Sequence, residues 1–278
     1  MSEKIKGDLI IIGGAEDKEG DKEILKKVCS SINKEEDNIL IATIATEYPK
    51  EALEKYTRIF NKLGVNKIKG LNIKERADSL NKENIKLVEE ASLIFFTGGD
   101  QLRITSLIGG TPIYDAIKEA SSDGCIIVGT SAGASVMSDT MVVKGEDDES
   151  PRKCTLKMAP GLGLVKGIMI DQHFAQRGRI GRLLTGIAQN PEVLGIGIDE
   201  DTAIVVKDSG EAQVVGSGAV YFLDARNITH SNASEQYYDE VLSMFNVSLH
   251  VLKEGDRFNL LTKVPFEEES NRNENNRD

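Results

Sequence analysis

The sequence predicts an α/β protein whose mostly parallel central sheet is covered on both faces. Up to about residue 130, short apolar runs alternate with longer, charged segments of helical period. Those runs are apolar throughout rather than at every second position, as strands buried on both faces are. Parallel strands also need long crossovers, which the helical segments between them supply. In the second half the helical segments thin out, and short strands are separated by Asp-Ser-Gly and Gly-Ser-Gly turns. This part reads as an antiparallel extension of the same sheet.

Taken in order, residues 9–12 form a buried strand ending in Gly13-Gly14, and residues 21–32 a helix with Ile24, Val28 and Ile32 on one face. Residues 38–45 (NILIATIA) are the next strand. In residues 50–63, Leu53, Tyr56, Ile59, Phe60 and Leu63 have the spacing of one helical face. A strand at 67–71, a helix at 82–90 and a strand at 91–96 follow, the last running into Thr97-Gly98-Gly99-Asp100. Residues 111–121 are helical, with Pro112 in the first turn, and 124–129 are a strand. Later strands are expected at 193–198, 202–207, 212–215 and 219–223, then a hairpin of 247–252 with 257–261. After Phe266 the sequence EEESNRNENNRD holds no apolar residue, which predicts a disordered acidic tail over 267–278. Residues 1–266 then make a single α/β domain.

The chain has 278 residues and a formal net charge of −11. That balance argues against nucleic acid as a partner, which would ask for a basic face. The first apolar run is too short for a signal peptide or a membrane helix, so a cytoplasmic protein that does not bind membranes is expected. Three scattered cysteines, Cys29, Cys125 and Cys154, suit neither a disulfide framework nor a zinc site.

Residues 125–137 read CIIVGTSAGASVM. An apolar strand runs into Gly129-Thr130-Ser131-Ala132-Gly133, and small residues begin a helix at once. This is the G-x-S-x-G spacing of a nucleophile elbow, in which a cramped strand-to-helix turn lifts a serine hydroxyl above the sheet edge. The bland reading is a helix cap by Thr130 or Ser131; the strand before and the helix after favour catalysis. The Ala132 N–H then faces a developing oxyanion. A second donor has to come from another loop at the same sheet edge, where Gly13-Gly14 and Gly98-Gly99 both lie.

Ser131 needs a base. Of three histidines, His230 lies in a polar loop and His250 within an apolar strand, whereas His173 sits in IMIDQHF, where a strand meets Asp171, Gln172 and Arg177. His173 is therefore the candidate base. The carboxylate that orients it is left open by spacing among Asp171, Asp199, Glu200 and Asp201. After His173, Arg177, Arg179 and Arg182 fall close together; guanidinium forks clamp carboxylates bidentately, so these arginines either hold substrate carboxylates beside the site or form ion pairs on an exposed helix turn. The acidic stretch Glu146-Asp147-Asp148-Glu149 reads as a solvated loop, or as one that attracts cationic substrate groups.

The segments IIGGAED (residues 11–17), FFTGGDQLRI (95–104), GTSAGASVM (129–137), DQHFAQRGRIGRLL (171–184) and GIDEDTA (197–203) together resemble those of the cyanophycinases, relatives of the aspartyl dipeptidase peptidase E. The resemblance implies an intracellular serine exopeptidase, usually a homodimer, with no metal or cofactor. Its fold would be a three-layer, flavodoxin-like α/β sandwich like that of class I glutamine amidotransferases, with serine in place of their cysteine. It implies cyanophycin as substrate, a polyaspartate with arginine on each β-carboxyl, cut to β-Asp-Arg dipeptides. Carried over by motif, Ser131, His173 and Glu200 form the triad, and Gly99 and Ala132 the oxyanion hole. Gln101, Asp171, Gln172, Arg177, Arg179 and Arg182 fall in the substrate pocket. The alternative is an aspartyl or isoaspartyl dipeptidase on the same scaffold. A nucleotide-binding protein is disfavoured, because neither glycine loop carries a dinucleotide or P-loop pattern.

Overall fold

The computed structural model describes residues 7–147, 149–234 and 239–266; the expected tail at 267–278 lies outside them. The chain runs β1 (Leu9–Ile12), α1 (Glu23–Ser30), β2 (Ile39–Ala42), α2 (Pro49–Lys62), β3 (Ile68–Leu71), α3 (Lys82–Glu89), β4 (Leu93–Phe96), α4 (Gln101–Ile108), α5 (Pro112–Ser122), β5 (Ile126–Thr130) and α6 (Ala132–Ser135). It continues through β6 (Thr140–Lys144), β7 (Lys157–Pro160), β8 (Ile168–Gln172), α7 (Ile180–Gln189), β9 (Leu194–Ile198), β10 (Thr202–Val206), β11 (Glu211–Gly216) and β12 (Val220–Asp224). Short strands close it: β13 (His230–Ser231), β14 (Met244–Phe245), β15 (Ser248–Leu252), β16 (Arg257–Asn259) and β17 (Val264–Pro265).

The main sheet has nine strands in the order β17-β16-β11-β10-β1-β5-β4-β2-β3. The half from β1 to β3 is parallel, with Leu9 opposite Ile127 and Ile12 opposite Thr130. The half from β10 to β17 is antiparallel, as expected of an extension. Alternate residues of each parallel strand enter two separate cores. Ile10, Ile12, Ile39, Ile41, Leu93 and Phe95 face α1 and α2, whereas Leu9, Ile11, Leu40, Ala42, Ile94 and Phe96 face α3, α4 and α5. This side-chain period of two is why an unbroken apolar run was needed: each strand serves both faces. Tyr56, Phe60 and Phe95 form an aromatic cluster that seats α2, with ring centroids 4.7 Å apart for Tyr56–Phe95 and 5.4 Å for Phe60–Phe95.

Three features differ from the sequence reading. First, β9 and β12 do not join the main sheet. They belong to a second, four-stranded sheet, β15-β12-β9-β8, whose inner residues Ile170, Ile196 and Phe222 share the core with the main sheet. Its outer residues Met169 and Leu223 are covered by Leu183 and Ile187 of α7. Second, the expected hairpin is divided: β15 pairs with β12, and β16 with β11. Phe222 and Phe258 stack between the two sheets, centroids 3.9 Å apart. Third, the segment after Asp100, to which the sequence reading assigned no element, forms α4, whose first turn is capped by Asp100 accepting from the Leu102 N–H at 2.8 Å.

Candidate active site

Ser131 stands between β5 and α6 with φ 54° and ψ −114°. A left-handed conformation costs a residue with a Cβ roughly 1–3 kcal/mol, so surrounding structure has to impose it. The Ser131 N–H donates to the Ile12 carbonyl of β1 at 3.0 Å, and its own carbonyl accepts from the Ala134 and Ser135 N–H groups. The turn also requires Gly133, where a Cβ would lie 2.4 Å from the Phe96 carbonyl oxygen. Ala132 opens α6, where a backbone N–H has no acceptor within the helix.

His173 follows β8 and is itself left-handed, at φ 50°. Its N–H donates to the Gly13 carbonyl at 2.8 Å, tying the strand end to the loop after β1. Its Nε2 lies 2.9 Å from Ser131 Oγ, and its Nδ1 2.6 Å from Glu200 Oε1. A carboxylate at Nδ1 keeps the proton there and leaves Nε2 to accept from the serine hydroxyl. The ring lies against Gly14, where any Cβ would be 2.4 Å from Cε1. Burial lowers the imidazole pKa below its ordinary value of 6.5; Glu200 opposes this and nearby Arg177 adds to it. The shift favours the neutral ring, the form a base needs.

The acids left open by spacing are separated by their partners. Asp199 accepts from the Ala175 and Ala219 N–H groups at 2.9 and 3.1 Å. Asp201 accepts from the Asp17 N–H at 2.8 Å and from Ser217. Asp171, 1% exposed, is held by both nitrogens of the Arg182 fork. Glu200 reaches the imidazole, and its own N–H is held by Gln176 Oε1 at 2.9 Å.

The arginines divide in the same way. Arg179 and Arg182 are buried, at 5% and 9% exposure, and both meet Asp147, at 2.9 and 3.0 Å. Arg179 also donates to the carbonyl and side-chain oxygen of Gln172, at 2.6 and 3.2 Å, and that side-chain oxygen lies 3.4 Å from Ser131 Oγ. Arg177 is exposed one turn after His173. Gln101 donates to the Val142 carbonyl at 2.8 Å. Of the acidic stretch, Asp147 is solvent-exposed and also the ion-pair partner of both arginines, and Asp148 lies outside the described residues. Gly99 borders a cleft of about 560 Å³ whose walls include Glu47, Tyr48, Asp100, Leu102 and Arg103. His230 lies against Phe245 and His250 against Phe258 in tilted ring contacts, both outside the constellation just described.

The sequence reading assigned nothing to Glu16, which is 2% exposed. Its carboxylate accepts from the Thr130 hydroxyl, beside the serine, at 2.6 Å. The only trace in the sequence is an acidic residue two positions after the glycine pair that follows a strand. Among the described residues, no His, Cys, Asp or Glu cluster is arranged to hold a metal ion, and no helix is long and apolar enough to cross a membrane.

Residues 9–214 match the model of peptidase family S51. A cyanophycinase of Geminocystis herdmanii is 36% identical over 267 residues, covering 96% of this chain and 98% of the relative. A cyanophycinase of Trichormus variabilis is 39% identical over 257 residues, covering 92% of this chain and 86% of the relative. The crystal structure of a peptidase from an acI-B1 actinobacterium superposes with a TM-score of 0.64, covering 91% of this chain and 97% of that one, at 22% identity, which shows a common fold.

Proposed function

Since the chain belongs to peptidase family S51, and so is a peptidase, we propose that it hydrolyses cyanophycin to β-Asp-Arg dipeptides through an acyl-enzyme on Ser131. The observation that carries this reading is the pair of short contacts through one imidazole, 2.9 Å to Ser131 Oγ and 2.6 Å to Glu200 Oε1. Ser131 Oγ attacks the scissile carbonyl while His173 Nε2 takes its proton, and Glu200 stabilises the imidazolium that forms. The oxyanion lies on the Gly99 and Ala132 N–H groups. His173 then protonates the leaving amine, and water, deprotonated by the same nitrogen, releases the acid and frees Ser131. No step calls on a metal or cofactor.

Exposed Arg177, beside His173, is the cation placed to meet a substrate carboxylate. Arg179 and Arg182 act from behind: they hold Asp171 and the Gln172 side chain, and Gln172 faces the bound residue. Gln101 fixes the start of α4 next to Gly99. The cleft beside Gly99, with the carboxylates of Glu47 and Asp100 and the guanidinium of Arg103, suits a polymer that carries both charges. We also take the enzyme to be a cytoplasmic homodimer; Leu249 and Val251, exposed at alternate positions of β15, offer an apolar strip for self-association.

The test is incubation of the purified protein with cyanophycin. Release of β-Asp-Arg, lost in Ser131→Ala by on the order of 10⁴-fold or more with circular dichroism and melting unchanged, is the expected result. Release from aspartyl dipeptides but not from the polymer would instead establish the dipeptidase alternative.

A further inference from the structure

We infer that Glu16 is a positioning residue for the nucleophile, and that the loop from Gly13 to Asp17 holds Ser131, His173 and Glu200 in mutual register. The inference rests on the triad proposed above.

Each member of the triad is tied to this loop, through itself or through its chain neighbour. For the base, the Gly13 carbonyl accepts the His173 N–H at 2.8 Å, and Gly14 lies under the imidazole. For the acid, the Gly14 carbonyl accepts the N–H of Asp201, next to Glu200, at 2.9 Å, and the Asp201 carboxylate accepts the Asp17 N–H at 2.8 Å. For the nucleophile, the Glu16 carboxylate accepts the hydroxyl of Thr130, next to Ser131, at 2.6 Å. Two of these ties are made by backbone carbonyls and survive most substitutions. Ser131 is also held by its own N–H to the Ile12 carbonyl of β1, but the tie from this loop, made through Thr130, is a side-chain contact that depends on one carboxylate.

That carboxylate is itself immobilised. Its other oxygen accepts from the Tyr56 hydroxyl of α2 at 2.5 Å and pairs with Lys18 Nζ at 2.9 Å. Burial, reinforced by the Glu16 charge, raises the Tyr56 hydroxyl pKa far above its ordinary value, so it stays a donor. A buried carboxylate is tolerated only when paired and fully hydrogen-bonded, and here both conditions are met. The strained backbone of Ser131 thus sits directly beside an anchor that reaches across to a helix on the far face of the sheet.

Glu16 touches no reacting atom, so its loss acts on the geometry of attack rather than on binding. A displacement of about 1 Å costs on the order of 10²-fold in rate. Glu16→Ala is expected to lower kcat by about that factor with KM nearly unchanged, and to slow labelling of Ser131 by a fluorophosphonate in parallel. Thr130→Val removes the same hydrogen bond without emptying the Glu16 site, and is expected to reproduce the loss. Thr130→Ser, which restores the hydroxyl, is expected to recover kcat relative to Thr130→Val. The double variant should lose no more than the larger single loss. The inference is overturned if folded Thr130→Val keeps wild-type kcat and labelling rate, or if its losses merely follow the folded fraction measured by circular dichroism. If the wild-type protein is labelled by the probe but does not cleave cyanophycin, the substrate reading fails and the positioning role is still decided by the labelling rates.

Discussion

Two clusters of charged and polar side chains lie back to back around β8, and they obey different rules. In front, His173 and Glu200 are partly open to solvent, their side chains 12% and 37% exposed, and they are joined by one contact on each side of a ring. Behind, Asp171, Arg179 and Arg182 are almost wholly enclosed and share several hydrogen bonds with one another and with Asp147. The residue types invite the opposite assignment, since arginines near a serine nucleophile suggest a carboxylate clamp. Burial decides otherwise. Ions removed from water are kept only if every group is matched, so the rear cluster is spent on holding itself and Gln172 in place. The front cluster keeps an unfilled side, and a proton can move there.

Breaking each cluster in turn sharpens the contrast. In front, Glu200→Gln presents an amide donor to Nδ1 and favours the wrong tautomer. It should lower kcat/KM by roughly 10³- to 10⁴-fold, with little change in melting. Behind, Asp171→Asn leaves buried guanidinium charge uncompensated, and should cost about 3–5 kcal/mol of stability in denaturant unfolding. At the rim of the same cluster, the Asp147 side chain is 40% exposed and screened by solvent, so Asp147→Asn should cost only about 1 kcal/mol. The smallest effect is on pH. Because burial lowers the His173 pKa, the acid limb of kcat/KM should have its midpoint below 6.5. The sign for stability follows: the unfolded histidine binds its proton more readily, so His173 withdraws stability as pH falls through 6.5 toward its folded pKa. Rate and unfolding measurements on one pH series check both.

The parallel half of the fold was legible because apolar runs serving two cores leave an unmistakable pattern. The second sheet was not. Its strands β9 and β12 are just as apolar as those of the main sheet, and nothing in a run such as LGIGI states which neighbour it pairs with. Ser131 and His173 were readable from the elbow spacing and from a choice among three histidines. Glu200 could not be separated from Asp199 and Asp201 along the chain. In three dimensions the aspartates are drawn to backbone N–H groups on either side, which leaves the middle residue to reach the ring. Glu16 was hidden for a related reason: its partners come from β5 and α2, far apart in sequence.

Ser131 is carried by the main sheet and His173 by the second, so the 2.9 Å gap between them spans a seam. The core shared by the two sheets, with Phe222 stacked on Phe258, acts as the spacer that sets this gap. Catalytic alignment in this molecule is therefore a property of its hydrocarbon interior as much as of its polar groups. A chain that loosened along that seam would fall silent while most of its secondary structure was still standing.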